Sequence, residues 1–425
     1  MKKLNKSLKI LLLLFIYKLL LDFSIIGFIS KEYSYVGGNV DFNLLKFILS
    51  NLYLIIIYIF IPKNNVKPSY IFLQLHFIIM IIPMLTLYGL QNKHSEYVAA
   101  IVILFCLEIC ILKYSKLLKI YRIRNSKYIL YVLIIMISFF VYFSMLRANG
   151  IPSLSVLNFW KVYEVRNNVV YPFLMNYLVH WQAKVINPFL ITLSFVQKKP
   201  MLLAFSLSLQ LLIYLITAHK SYILIPGAII VIIKVLNKYD FFKMLSYLSS
   251  LGVLISMTFH KLFDFIFFPF IFIYRLLFLP AQIKYYYYDF FSENRFLYFS
   301  EGFIGKIFGI KFPYELGTNY LISNIYFGDP NSAANTGYLA DAYANGGIWG
   351  MLIITLVLTG ILIIIDSLTP NIGKNVVVGL SIFSVLGLND LGLLTTLFTG
   401  GLGFLIVLLY LYTGINDDKS KLKSS

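Results

Sequence analysis

Long apolar runs separated by short polar connections dominate the chain. A helix needs about 20 mainly apolar residues to cross the hydrocarbon core of a bilayer. Twelve runs approach this length, at 8–29, 44–62, 70–90, 97–114, 128–146, 172–197, 200–217, 222–237, 243–260, 347–366, 375–391 and 397–414. The pattern predicts an all-α, polytopic integral membrane protein of about 12 transmembrane helices, in which residues 1–425 form a single membrane domain.

Composition excludes a water-soluble globular enzyme. Sixty per cent of the residues are apolar and only 13% are charged, whereas about 25% are charged in soluble domains. The two cysteines, Cys106 and Cys110, lie in one apolar run. No disulfide framework and no Cys/His spacing typical of a metal site is present in the sequence. We therefore expect neither a metal site nor a cofactor.

The basic residues favour one side of this topology. If the N-terminus is cytoplasmic, the connections on that side hold 21 of the 36 lysines and arginines, among them the cluster at 113–127. The positive-inside rule assigns such connections to the cytoplasm. Both termini are therefore predicted to be cytoplasmic, with 415–425 as a tail. The net charge of +18 then reflects topology and anionic lipid, and nucleic acid is not an expected partner.

Two connections on the opposite, outer side are long, at 147–171 and 260–346. Long loops in a compact domain are usually functional. The run 262–280 is apolar enough to be a further span, but it contains Asp264, Arg275 and two prolines. We predict that it is an interfacial or re-entrant segment. It would open one large extracytoplasmic loop region between the ninth and tenth spans.

Arginine is scarce and unevenly placed. Only six of the 36 basic residues are arginine. Four of these lie in the two long outer loops, where topology does not require cations: Arg147, Arg166, Arg275 and Arg295. A guanidinium binds phosphate through two parallel hydrogen bonds and keeps its charge. This distribution predicts an outward-facing phosphate ligand. The alternative for each arginine is contact with lipid headgroups or pairing with a nearby acid.

Other polar residues are candidates for substrate binding. His219 and Lys220 lie in a short outer turn, where they either contact a phosphate or end a helix. Tyr287 and Tyr288 belong to a run of four tyrosines, which either stack on sugar rings or anchor the chain at headgroup depth. These pairs of alternatives are not separated by the sequence.

The segment around Asp341 is rich in glycine. Asp341 lies six residues before Gly347, where the chain is predicted to re-enter the membrane, so we expect its carboxylate at a cavity rim near Tyr343. A carboxylate there can accept a proton from a sugar hydroxyl, or it can cap a helix. Gly346 and Gly350 have the spacing of tight helix packing.

Acids inside the predicted spans are a separate group: Asp22, Glu108 and Asp390. Charged groups are costly in lipid and must be satisfied inside the protein. Lys18 and Asp22 are four residues apart and are predicted to form a pair.

Four stretches resemble the bacterial O-antigen and capsular repeat-unit polymerases, the Wzy-type family. In chain order they are YEVRNNV with VINPFLI, TAHKSYILIP, YRLLFLPAQIKYYYYDFFSEN and GYLADAYANGGIWGMLI. The predicted spans, termini and late outer loop are also similar, so the resemblance covers nearly the whole chain. It implies a GT-C-like fold in the bacterial cytoplasmic (inner) membrane.

The resemblance implies a glycosyltransferase of cell-envelope polysaccharide biosynthesis. Such enzymes polymerise undecaprenyl-pyrophosphate-linked repeat units into O-antigen or capsule and release undecaprenyl pyrophosphate. Implied partners are this lipid-linked oligosaccharide, membrane lipids, and a chain-length regulator and flippase of the same pathway. With the residue analysis, it gives Arg166, Arg275 and Asp341 as expected catalytic residues. The expected substrate-binding residues are Arg147, Lys220, His219, Tyr287, Tyr288, Arg295 and Tyr343.

Three alternatives remain at this point. A lipid-linked oligosaccharide flippase would also be basic and cross the membrane many times, but related halves and short outer loops are typical of such transporters. An O-antigen ligase would carry a histidine shortly before Gly347, where this chain has Asn335, Thr336 and Gly337. A glycan-export partner without catalysis has no need of four outer arginines.

Overall fold

A computed structural model describes residues 2–121, 123–152, 156 and 162–421 of the chain. Arg122, the last four residues of the predicted tail and part of the 147–171 loop lie outside the described residues. The described chain is helical, with one isolated β-bridge between Asp41 and Gln91 and no β-strand. The prediction of an all-α protein is confirmed.

The helices are numbered in chain order. The first five are α1 (2–32), α2 (Leu44–Phe60), α3 (Pro68–Leu90), α4 (Ser95–Tyr114) and α5 (Ser126–Asn149). The next five are α6 (Val162–Asn167), α7 (175–196), α8 (Pro200–Thr217), α9 (Lys220–Lys238) and α10 (Phe241–Phe263). The last seven are α11 (Phe267–Glu293), α12 (Phe303–Phe308), α13 (Thr318–Phe327), α14 (Tyr338–Leu368), α15 (Lys374–Gly387), α16 (Leu393–Phe398) and α17 (Leu402–Lys421).

The protein is a multi-pass membrane protein. Within the described ranges, nine helices are long and apolar enough to cross a membrane: α1, α3, α4, α5, α8, α9, α10, α11 and α14. Shorter apolar helices are α2, α15 and the first part of α17. Each of the twelve predicted runs contains helix. The count of twelve spans, the identity of the membrane and the side on which the termini lie stay predictions.

One face of the helix bundle is defined by contacts between helix ends. The α1–α2 and α3–α4 connections meet where the Gln91 side chain donates to the Gly37 carbonyl at 2.8 Å. At the same end, His260 of α10 packs its ring against Phe28 of α1, with 4.9 Å between centroids. We call this the outer face, because the sequence predicts that these connections are extracytoplasmic.

Helix α11 starts and ends at the outer face. Near its start, Tyr274 stacks on Tyr33, which follows α1, at 3.9 Å. Near its end, Tyr288 stacks on Tyr97, in the first turn of α4, at 4.6 Å. Helix α11 is long enough to span a membrane. Both of its ends nevertheless contact residues of the outer face, as the ends of an interfacial or re-entrant segment would. Its position relative to a bilayer stays a prediction.

Helix α14 consists of two parts that run in opposite directions. At the start of the short part, 338–345, the Tyr338 hydroxyl donates to Glu108, 14 residues into α4, at 3.3 Å. Five residues later, Tyr343 packs on Tyr97 at the outer end of α4, at 5.6 Å. The short part therefore rises from the bundle interior to the outer face.

The chain reverses at two glycines and then descends. The backbone leaves helical geometry at Gly346 and Gly347, and Gly347 has a φ of +59°, which side chains rarely adopt. At the far end of α14, the Ser69 backbone N–H of α3 donates to Asp366 at 3.0 Å. Gly346 and Gly350, whose spacing suggested packing between two helices, therefore lie at the point where α14 itself reverses direction.

We expect Gly350→Ala to destabilise the protein by ~1–3 kcal/mol, the usual cost of overpacking a well-packed site. A Cβ atom at Gly350 would overlap the backbone carbonyl oxygen of Ala342, which lies in the rising part of α14. Gly360→Ala is the matched control, because a Cβ there meets nothing within 4 Å. Thermal unfolding of both purified variants in one detergent tests this, and equal melting temperatures would contradict the reversal.

Two of the intramembrane acids have partners inside the bundle. Lys18 Nζ lies 3.1 Å from Asp22 Oδ2, which confirms the predicted pair. Glu108 is fully buried and accepts the hydrogen bond from Tyr338. Both acids are therefore satisfied in part by the protein, as lipid burial requires.

The assignment of the outer face is tested by cysteine labelling in intact cells. In a variant with Cys106 and Cys110 replaced by serine, we expect Ser332→Cys to react with an impermeant maleimide. Ser332 is exposed in the long connection before α14. Lys116→Cys, exposed in the connection between α4 and α5, should react only after permeabilisation. The reverse pattern would mean that the predicted topology is inverted.

Candidate functional site

A polar cavity of about 220 Å³ opens between α11, α13, the rising part of α14 and the start of α16. We call it the outer cavity, because the outer connections line it. Its lining includes three carboxylates, three threonines and two asparagines: Glu301, Asp341, Asp390, Thr318, Thr336, Thr395, Asn319 and Asn335. The volume is ample for several waters or a polar ligand group.

The rising part of α14 brings Asp341 into this cavity. Its first residue, Tyr338, donates its backbone N–H to the Leu388 carbonyl at 3.0 Å, which fixes it against the connection between α15 and α16. In that connection, a Cβ atom at Gly392 would overlap the Asp341 carboxylate. Asp341 thus lies inside the cavity. This differs from the expected rim position, because 338–345 rises from the interior.

A buried lysine of α11 holds the same connection. Lys284 Nζ donates to the Asn389 carbonyl at 2.8 Å, to Asn389 Oδ1 at 3.0 Å and to the Pro280 carbonyl at 3.0 Å. The Asn389 amide in turn donates to Asp390 Oδ1 at 2.9 Å. Lys284 therefore fixes a cavity carboxylate through Asn389. Sequence reasoning missed Lys284, although a lone lysine within an apolar run was a usable signal.

Glu301 fixes the opposite wall. Its carboxylate accepts hydrogen bonds from the Thr318 backbone N–H, at 3.2 Å, and from the Thr318 hydroxyl. The Asn319 amide donates to Asn335 Oδ1 at 3.2 Å, which ties α13 to the segment before α14. Sequence reasoning missed Glu301, because nothing near it in sequence marks the contact with Thr318.

A second, mainly apolar cavity of about 330 Å³ lies between α7, α9, α15 and α16. We call it the apolar groove. Leu391 lines both the apolar groove and the outer cavity, so the two spaces adjoin. Lys184 of α7 contributes the single cation of the groove lining. The site therefore offers polar and apolar surfaces side by side.

Positive charge collects near this groove. Burial, followed by the charges of Arg166 and Lys184, lowers the pKa of His219 to about 4. The imidazole is therefore neutral at pH 7, and both cations are near enough to act on it. Tyr171 Oη lies 3.4 Å from His219 Nε2. Among the described side chains, neither Arg166 nor Lys184 forms an ion pair. These groups can together attract an anion.

The other predicted arginines lie elsewhere. Arg275 is exposed on α11 over the Phe270 ring at 5.7 Å. It precedes Tyr287, which lines the outer cavity, by twelve residues, or ~18 Å of helix. Arg147 and Arg295 are exposed near the ends of α5 and α11. The structure thus does not bring Arg275 together with Arg166 or Asp341.

The predicted tyrosines have different surroundings. Tyr287 donates to the Ala334 carbonyl at 3.1 Å and lines the outer cavity. Tyr288 and Tyr343 are buried and pack on each other at 4.8 Å. Only Tyr287 of the three lines the cavity. Lys220 is half-buried at the start of α9.

Comparison of the chain with protein-family models, with curated proteins and with solved structures gives no match.

Proposed function

We propose that the protein is a glycosyltransferase that polymerises oligosaccharide repeat units carried on undecaprenyl pyrophosphate. The observation that carries the proposal is the junction of a polar cavity and an apolar groove at Leu391. A lipid-linked oligosaccharide has the same two-part chemistry, with hydroxyl-rich sugars joined through pyrophosphate to a polyprenyl chain. A GT-C-like fold, the cytoplasmic membrane and an O-antigen or capsular product belong to this proposal.

In this proposal the donor lies across the junction. Its polyprenyl chain occupies the apolar groove, and its pyrophosphate meets Lys184 and Arg166. As the glycosidic bond to the pyrophosphate breaks, negative charge grows on the leaving oxygen. Cations already in place stabilise that charge without reorganisation. Arg166 adds a fork of two donors that a point charge lacks.

The acceptor sugar occupies the outer cavity. Its hydroxyl oxygen bonds to the donor anomeric carbon while undecaprenyl pyrophosphate leaves, and its proton passes to a carboxylate. Asp341 is the candidate for this step, because among the described residues no donor binds its carboxylate. A carboxylate in reach of the hydroxyl acts as a general base, and the adjoining cavities hold the two substrates together.

The test uses purified protein in lipid nanodiscs with a lipid-linked repeat unit. We expect a ladder of longer glycans and one released undecaprenyl pyrophosphate for each added unit. Transfer of the glycan to an acceptor other than a repeat unit, without a ladder, would instead support a ligase. Absence of any transfer with several repeat units would contradict the proposal.

A transporter of lipid-linked oligosaccharide is the second candidate. Two interrupted helical segments, the α14 reversal and the α15–α16 break, face each other at the outer cavity. Interrupted helices at membrane depth commonly form transporter binding sites. Sealed vesicles carrying a fluorescent lipid-linked glycan separate the two functions. Movement across the bilayer without polymer would favour transport.

A further inference from the structure

Two histidine rings lie close together where α7 meets the start of α9. The ring centroids of His180, in α7, and His219, directly before α9, are 5.9 Å apart. Tyr222 packs its ring on both, with 6.1 Å and 5.1 Å between centroids. We call His180 and His219 the histidine pair. Lys184 and Ser221, close to the pair in the sequence, line the apolar groove, so the pair lies beside the proposed path of the lipid.

Each ring of the histidine pair has one paired and one unpaired nitrogen. The Tyr222 hydroxyl forms a hydrogen bond with His180 Nδ1 at 2.5 Å, and Tyr171 Oη lies 3.4 Å from His219 Nε2. His180 Nε2 and His219 Nδ1 have no hydrogen-bond partner among the described residues, and neither nitrogen is fully buried. Both are therefore accessible to a ligand. Two rings at this separation can bind one ligand, because each hydrogen bond spans ~2.9 Å.

The surroundings of the histidine pair are cationic. The charged or titratable groups near it are Arg166 of α6, Tyr171 before α7, Lys184 of α7, Tyr222 of α9 and Lys220, which follows His219. Among the described residues, no carboxylate forms an ion pair with Arg166, Lys184 or either histidine. Burial, and then Arg166 and Lys184, lower the pKa of His219 to about 4, so this ring is neutral without a ligand.

We propose that His180 and His219 bind the diphosphate of a polyprenyl diphosphate, and that a proton from solvent joins the pair as the diphosphate binds. A nearby opposite charge favours the charged form of an imidazole and raises its pKa by ~1–3. The accessible nitrogen of each ring can donate to a phosphate oxygen, and charge-assisted bonds are stronger than neutral ones. The inference rests on the proposed function for the lipid carrier and adds two ligands and a proton to it.

The added proton makes the site selective for charge. A membrane phospholipid presents a phosphodiester with a single negative charge, which the charges of Arg166 and Lys184 already exceed. A diphosphate monoester carries more negative charge and draws the proton onto the histidine pair. In the proposed transfer, breaking the glycosidic bond adds negative charge to the diphosphate. The pair would therefore stabilise the leaving group more than the intact donor.

The test observes the histidines directly by NMR. The chain has five histidines, so the full chain labelled with 13C-histidine in nanodiscs gives few signals, which histidine-to-glutamine variants assign. The probes, used with a chelator, are farnesyl diphosphate and phosphatidylglycerol in a phosphatidylcholine bilayer. We expect farnesyl diphosphate to raise the titration midpoint of His219 from about 4 by ~1–3 pH units, and phosphatidylglycerol to leave it in place. Unchanged midpoints of both rings, or an equal response to phosphatidylglycerol, would overturn the proposal.

Variants assign the binding to the histidine pair. His180→Gln and His219→Gln should each weaken farnesyl diphosphate binding about tenfold in calorimetry, since each removes a hydrogen bond to a charged group. His94→Gln is the matched control, because His94 is exposed beside Asp289 and does not line the apolar groove. Unchanged affinity in both pair variants would overturn the site. If a variant does not fold, the two probes on the unmodified protein decide, and no responding histidine signal would sink the inference.

Failure of this inference is distinguishable from failure of the proposed function. Normal polymer formation with histidines that ignore the diphosphate would remove the histidine pair from the site alone. A diphosphate that protonates the pair in a protein that forms no polymer would contradict the polymerase and support a diphosphate site in a protein of other activity.

Discussion

Replacing Asp341 by asparagine is expected to lower the rate of chain formation about 100-fold at saturating substrate, the lower end of what a general base typically contributes. Asparagine keeps the shape of the side chain against Gly392, where no room for extra atoms exists. It removes the negative charge that, in the proposed mechanism, takes the proton from the acceptor hydroxyl. Because that interaction strengthens in the transition state, the loss should fall on turnover more than on affinity.

The measurement is the rate of ladder formation with a purified lipid-linked repeat unit. Asp264→Asn is the matched control, since Asp264 is exposed in the turn between α10 and α11 and does not line the cavity. An unchanged rate in Asp341→Asn would reduce Asp341 to a structural role. A defect that disappears at high substrate concentration would make it a binding residue instead.

Arg166→Lys should remove most polymer, whereas Arg275→Lys should leave most of it. Both changes keep the positive charge and lose the two-donor fork that suits a pyrophosphate. The charges of Arg166 and Lys184 both lower the pKa of His219, so both cations lie near it. Lys184 also lines the apolar groove. Arg275 lies on α11, twelve residues before the cavity. The same conservative change thus probes one position beside the site and one distant from it.

Polymer yield in membranes with equal amounts of each variant checks this difference. Equal loss in both variants would mean that the two arginines act together, as the sequence predicts but the distance along α11 does not favour. Normal polymer from Arg166→Lys would mean that the pyrophosphate does not bind at Arg166. It would contradict the proposed position of the donor substrate.

The helices were predictable because bilayer thickness dictates the length of an apolar run. The local pair of Lys18 and Asp22 was predictable for a similar reason, since four residues bring two side chains onto one helix face. The reversal in α14 was not. The sequence predicts a span that starts at Gly347, and the non-helical backbone at Gly346 and Gly347 depends on packing against neighbouring elements.

The candidate site was predictable only in part. Asp341 was a candidate because a carboxylate beside glycines is conspicuous. The roles of Glu301 and Lys284 depend on hydrogen bonds to residues distant in the sequence, so the sequence did not indicate them. Lys284 binds Asn389, 105 positions away in the chain. Tyr288 was expected among the sugar contacts, yet it packs in an aromatic cluster. A run of tyrosines does not reveal which rings face a cavity, because the helix distributes them around its axis.

The hydrogen bond from Tyr338 to Leu388 has a consequence for biogenesis. A chain leaves the ribosome from its N-terminus, and its earlier parts fold first. The rising part of α14 requires a backbone acceptor that is synthesised 50 residues after it. It therefore cannot form this hydrogen bond when it first reaches the insertion machinery. The bond forms only after α15 has entered the membrane. The outer cavity is therefore completed only near the end of synthesis.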